Sequence, residues 1–172
     1  MTTKTDIVNQ ALILLGVEGI TDITDKTTNA KRANILYEQT QKQVLREYPH
    51  TCAVRTLTLG AQQIRVDAVF NDKYTISYHL PEDCLRVIKV NKDFDLQERY
   101  IFTDEPEPTI TYVYHNKNEE SYSAGLIESL VYMLAYKLSM AITGTASADM
   151  YTLYKNTIAN EKSVDSQQIL TQ

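Results

Sequence analysis

Between Ser121 and Ile142 the chain carries its most apolar run, and a run of that kind belongs in the middle of a helical core. Leu126, Leu130, Leu134 and Leu138 recur every four residues, while Ile127, Val131, Ala135 and Ile142 widen the line into a stripe too broad for a surface helix. The spacing predicts a helix buried over most of its surface, with Ser121 or Ser123 capping its start and Gly144 marking its end. A membrane span is the rival. The apolar run falls short of the ~20 residues a bilayer needs, and it carries Glu128 and Lys137, which would be costly at mid-depth. The expectation is therefore that no membrane is involved.

The segments on either side are read as the partners of this helix. Residues 3 to 15 predict a first helix, with Thr3 and Asp6 forming a variant of the capping box, Gly16 at its end, and Ile7 or Val8, Ala11, Leu12 and Leu15 on its inner face. The Thr- and Asp-rich stretch from Gly19 to Thr28 favours turns, because its side chains compete for backbone hydrogen bonds, and Ile20 and Ile23 are expected to tuck inward. A second helix is expected from about Asn29 to Tyr48, with Ala33, Leu36 or Tyr37, Thr40, Val44 and Tyr48 on one face and Lys, Arg, Gln and Glu on the other. Pro49 ends it by pushing the preceding residue out of the helical region. Near the other end, Thr145 or Ser147 is expected to cap a last helix reaching about Val164, with Tyr151, Tyr154 and Ile158 on one face, and residues 165–172 form a tail.

After Pro49 the period changes from 3.6 to 2, which marks a β insert over residues 54 to 115. Val54 to Leu59 reads as a first strand. Ile64, Val66 and Ala68 alternate with polar residues, as do Tyr74, Ile76, Tyr78 and Leu80, and Asn71-Asp72-Lys73 lies between them, so the two runs are expected to form a hairpin. Leu85 to Val90 is a further strand, and Asn91 to Glu98 is expected to be a solvent loop. Arg99 to Thr103 and Thr109 to His115 are expected to pair with each other around Pro106 and Pro108. The fold class is thus α+β, a single domain over residues 1–172: a bundle of N- and C-terminal helices (3–48 and 121–164) from which an antiparallel β insert projects.

Charge and composition exclude some functions. A formal net charge of -5 argues against retention on nucleic acid, since such binding comes mainly from Lys and Arg neutralising phosphates. Cys52 and Cys84 lack C-x-x-C spacing, and without a signal peptide ahead of them they suggest a reduced, cytosolic setting. Twelve tyrosines with no tryptophan suit half-buried strands and subunit contacts, where an apolar body carries a polar tip.

Patterns for nucleotide binding, zinc proteolysis and serine hydrolysis do not occur. His50 and Cys52 could form a nucleophile pair, but a helix-to-strand corner with a small buried thiol explains them more simply. Asp83, next but one to Pro81, suits a turn cap better than a catalytic acid. Glu105 with Glu107, or Glu119 with Glu120, could supply the two carboxylates of a glycosidase, although acids flanking prolines or opening a helix are ordinary solvated turns. Tyr112 and Tyr114 could stack bases, but sheet packing is the simpler role. No catalytic, cofactor-binding or metal-ligating residue is assigned.

Asn9-Gln10-Ala11-Leu12 with Leu15-Gly16, then Ala33, Tyr37, Val44, Leu45 and Pro49, then Leu80 to Val87, taken in this order, resemble the phage head-to-tail connector adaptor family, the family of tail tubular protein A of short-tailed phages. Asn9-Gln10-Ala11-Leu12 with Leu15-Gly16 is similar to that family's N-x-A-L-x-x-L-G helix. Ala33, Tyr37, Val44, Leu45 and Pro49 look like its second helix and corner, although the corner here reads Pro49-His50-Thr51-Cys52-Ala53 and lacks the aromatic pair of P-W-x-F-A. Leu80 to Val87 is similar to the family's L-P-x-D-x-L-R-V string, and Ile101 to Tyr114 followed by a Leu/Ala-rich helix matches the late part.

The resemblance implies a structural virion protein without catalysis, made in the host bacterial cytoplasm and placed at the head-tail junction. It would form a homo-oligomeric ring of twelve copies that docks on the portal protein, extends the DNA channel and carries the tail nozzle protein during DNA ejection. DNA would pass without sequence-specific binding. The resemblance also implies that the last helix and tail reach the portal, which makes Tyr151, Tyr154, Ile158, Ile169 and Leu170 the docking candidates. A tail this short cannot bury Ile169-Leu170 by itself, so the purified chain is expected to be monomeric or weakly associated, with residues after Val164 mobile until the portal is present. Two other classes compete: a glycan hydrolase acting during infection, and a free-standing binding module with one exposed apolar patch.

Overall fold

The computed structural model describes residues 2–60, 73, 74 and 76–169, with side chains described as far as residue 163. The fold is α+β, and the chain divides into two compact units, one from Met1–Cys52 with Asn116–Gln172 and one from Ala53–His115. The boundaries between the units lie close to where the period changes.

The first unit is helical. Helix α1 spans Lys4–Leu14, and both halves of the Thr3/Asp6 capping box form: Asp6 N donates to Thr3 Oγ1 at 3.2 Å, and Thr3 N donates to Asp6 Oδ2 at 2.8 Å. Beyond it Gly16 takes φ +70, a left-handed conformation that side chains resist. Helix α2, Thr28–Glu47, is capped by Thr27, whose Oγ1 accepts from Ala30 N at 3.3 Å. It stops where Tyr48 becomes extended (φ -134, ψ 135) ahead of Pro49. Helix α3, Ala124–Thr143, begins at Ser123 rather than Ser121 and closes at Gly144 with φ 76. Helix α4, Ala148–Ile169, starts after Ser147 and continues past the expected end at Val164.

Helices α1, α2 and α4 all pack on α3, so both ends of the chain share one core. Leu126, Leu130, Leu134 and Leu138 are essentially buried, and each contributes about 1.5–3 kcal/mol of hydrophobic stabilisation. At 20 residues α3 is long and apolar enough to cross a membrane by those criteria alone, so the length argument above does not hold. Three helices nevertheless pack against it, which is the environment of a core helix.

One polar residue of α2 departs from its expected face. Gln41 is buried, because its Nε2 donates to Tyr122 Oη at 2.8 Å and to Glu119 Oε1 at 3.3 Å, while Tyr37 Oη donates to the same Glu119 oxygen at 3.1 Å. Tyr122 in turn donates to Asn116 O, and Asn116 Nδ2 donates to Cys52 O at 2.8 Å and to Ser121 Oγ at 2.8 Å. Cys52 and Asn116 are the residues at which the chain leaves and re-enters the helical unit, so the bond from Asn116 Nδ2 to Cys52 O fastens the two crossings together.

Among the described residues the second unit holds two three-stranded antiparallel sheets. Strands are β1 Val54–Thr58, β2 Ser77–His79, β3 Cys84–Val90, β4 Asp95–Gln97, β5 Tyr100–Phe102 and β6 Thr109–Tyr114, in orders β1-β6-β3 and β2-β5-β4. The expected pairing of the last two strands does not occur. β5 pairs with β2 and β4, and β6 pairs with β1 and β3, because the segment Asp104 to Pro108 carries the chain from one sheet to the other. Strand β4 lies inside the expected solvent loop and joins β5 through Glu98-Arg99, with Glu98 at φ 51. Ile64, Val66, Ala68 and Asn71-Asp72 lie outside the described residues. Leu59, Tyr78, Leu80, Val90, Ile101 and Ile110 bring both sheets onto one core.

Candidate interaction surfaces

The candidate catalytic groups fall into structural positions. His50 is buried edge-on against Tyr48, at 4.9 Å between ring centroids, with Nδ1 3.8 Å from Glu161 Oε2. Burial pushes the Cys52 thiol up, the opposite of what activates a nucleophile, and burial does the same to Cys84. Asp83 accepts from Arg55 Nη1 at 3.3 Å and from Tyr112 Oη at 3.4 Å, while Cys84 N closes the turn onto Pro81 O at 2.9 Å. Glu105 pairs with Lys92 at 3.3 Å on the exposed surface of the β unit, and Glu119 is held by Tyr37 and Gln41 in the helical unit. Among the described residues no group of three or more His, Cys, Asp or Glu is placed to hold a metal ion. Tyr112 is buried in the β core, and the Arg55 guanidinium covers the Tyr114 ring at 3.6 Å, a cross-strand neighbour that sequence proximity does not reveal.

The five docking candidates separate. Tyr151 is 40 % exposed, its ring 5.1 Å from that of Tyr136. Tyr154 is 0 % exposed and donates to Glu47 Oε2 at 2.6 Å, which ties α4 to the end of α2. Ile158 is also buried. These two are core residues of the folded chain, so of the three on α4's inner half only Tyr151 is open to a partner. Ile169 ends α4 with its side chain outside the described residues, and Leu170 lies outside them altogether.

A surface that the sequence did not announce lies between α1 and α3. Ile13 and Leu14 from α1 and Ala124, Ile127 and Val131 from α3 line an open groove of about 580 Å³. Gln10, Glu128 and Tyr132 supply its polar groups, and Tyr132 Oη donates to Glu128 Oε1 at 3.0 Å. Ile13 is 67 % exposed, a large apolar side chain left in water at the rim. The only sequence signal was that α1 has more apolar residues than one inner face can use: with Ile7, Val8, Ala11 and Leu12 buried, Ile13 and Leu14 remain outside. Chemically the groove can take an aliphatic side chain, with a carboxylate available to a cation beside it. The chain matches no protein-family model and no curated protein.

Proposed function

We propose that this chain is a structural virion protein, a head-to-tail adaptor whose copies form a ring on the portal, extend the DNA channel and carry the tail nozzle. The observation that carries this reading is the aliphatic groove between α1 and α3 with Ile13 exposed at its rim, a surface suited to another protein. Support also comes from the ordered strings of the adaptor family and from a helical unit made of both chain ends with a β unit between them. The net charge of -5 suits a channel wall that lets DNA pass without the counterion release that would hold it.

The experiment is co-sedimentation of the purified chain with the portal oligomer of the same phage. Comigration in a fixed ratio of subunits is expected. A chain that stays at the top of the gradient at every ratio would refute the portal as its partner.

A further inference from the structure

Helix α2 presents a basic outer face on a chain whose net charge is -5. Ile35 is 70 % exposed, a large aliphatic side chain standing in water in the middle of the helix. Lys31 is one turn before it, and Lys42 and Arg46 follow two and three turns later on the same side, all three exposed, with Arg32 beside them. The carboxylate on that side, Glu38, is bound to Lys42 at 2.7 Å. The face therefore offers an apolar knob framed by cations. The α1–α3 groove offers the converse: an aliphatic recess whose charged lining residue is Glu128.

We infer that neighbouring copies join head to tail, with Ile35 of one copy seated in the α1–α3 groove of the next and the cations beside it facing that copy's Glu128. The inference deepens the adaptor reading and rests on it for the ring. Knob and recess come from different elements, so the contact is heterologous; in a joined pair one copy keeps its groove free and the other its knob, and a chain of such contacts closes into a ring when the rotation per step allows. A nucleic acid would suit the cations but not Ile35, which gains nothing against phosphate; an aliphatic recess with a carboxylate satisfies both.

The test is sedimentation equilibrium of the full chain over a concentration series at low and high salt, with Ile35→Asp and Ile13→Asp. Both substitutions are at exposed positions, and circular dichroism checks that the fold is kept. The wild type is expected to gain mass with concentration, less so at high salt. Each variant alone should associate at least about tenfold more weakly. An equimolar mixture should regain pairing but stop at the dimer, because the Ile35→Asp copy keeps its groove and the Ile13→Asp copy keeps its knob. Glu128→Lys should weaken association, and Lys31→Glu with Arg32→Glu in the partner should recover part of it.

A wild type that stays monomeric throughout, variants that associate like it, or a mixture no better than its components would overturn the joint. So would DNA retention by the wild type that is lost in Lys31→Glu, which would assign the α2 face to nucleic acid. If both variants still formed rings on the portal, the adaptor reading would stand and this joint alone would fall. If the wild type formed none, the adaptor reading would fall while head-to-tail pairing in solution would be judged on its own.

Discussion

Truncation of Leu134 to alanine probes the claim that α3 is the centre of the helical unit. Leu134 is 1 % exposed on a helix against which α1, α2 and α4 all pack. Removing three carbons forfeits roughly 2.4 kcal/mol of transfer free energy, at about 0.8 per methylene. Neighbours on three sides cannot all move in, so a residual cavity adds about 1 kcal/mol or more, and the total should be about 3–4 kcal/mol, within the range for buried leucines. Guanidinium melts followed by helical circular dichroism measure this as a shift in midpoint at unchanged slope. Ile13→Ala on the exposed rim is the control and should change stability by no more than about 0.5 kcal/mol. A loss below about 1 kcal/mol for Leu134→Ala would mean that α3 is not the core on which the other helices rest.

Asn116→Ala removes the donors to Cys52 O and Ser121 Oγ and should cost about 1–3 kcal/mol in the same melts, with Asn116→Asp failing to restore it because the Nδ2 donor is still missing. Burial, reinforced by the Glu119 carboxylate at Tyr37 and by the bond to Glu47 at Tyr154, raises both hydroxyls well above the usual tyrosine value. A raised folded-state value means full stability below the unfolded tyrosine pKa of about 10 and loss as pH climbs above it, by up to about 1.4 kcal/mol per pH unit per tyrosine; Tyr37→Phe with Tyr154→Phe should flatten that alkaline slope in urea melts at successive pH values. A chain ending at Val164 should melt close to the full-length chain but lose co-sedimentation with the portal, and unchanged co-sedimentation would remove the role given to the residues beyond.

What could be read from the sequence was what local chemistry decides. The leucine spacing of α3, the Thr3/Asp6 box, the left-handed glycines and Pro49 each act within a turn or two, and each falls where the residues put it. Strand pairing is not set by adjacency along the chain. β6 lies between β1 and β3, and inward residues far apart in sequence, Leu59, Val90 and Ile110, share the core that fixes this order. β4 was invisible, a three-residue strand whose Leu96 points into water. The shared face of Tyr151, Tyr154 and Ile158 follows from periodicity and its docking role only from the resemblance, and neither tells a face that meets a partner from one that meets the chain's own α2; the Tyr154–Glu47 bond shows the latter. The groove was illegible for the related reason that Ile13 and Leu14 differ from core residues only in having no helix over them.

Electron cryomicroscopy of the purified chain mixed with its portal oligomer tests the adaptor assignment most directly. The account predicts a closed ring of this chain, twelve copies, seated on the portal with an open axial channel. Portal particles bare of added density, with the chain left as free monomers that cleave host glycan, would contradict it and establish the hydrolase in its place.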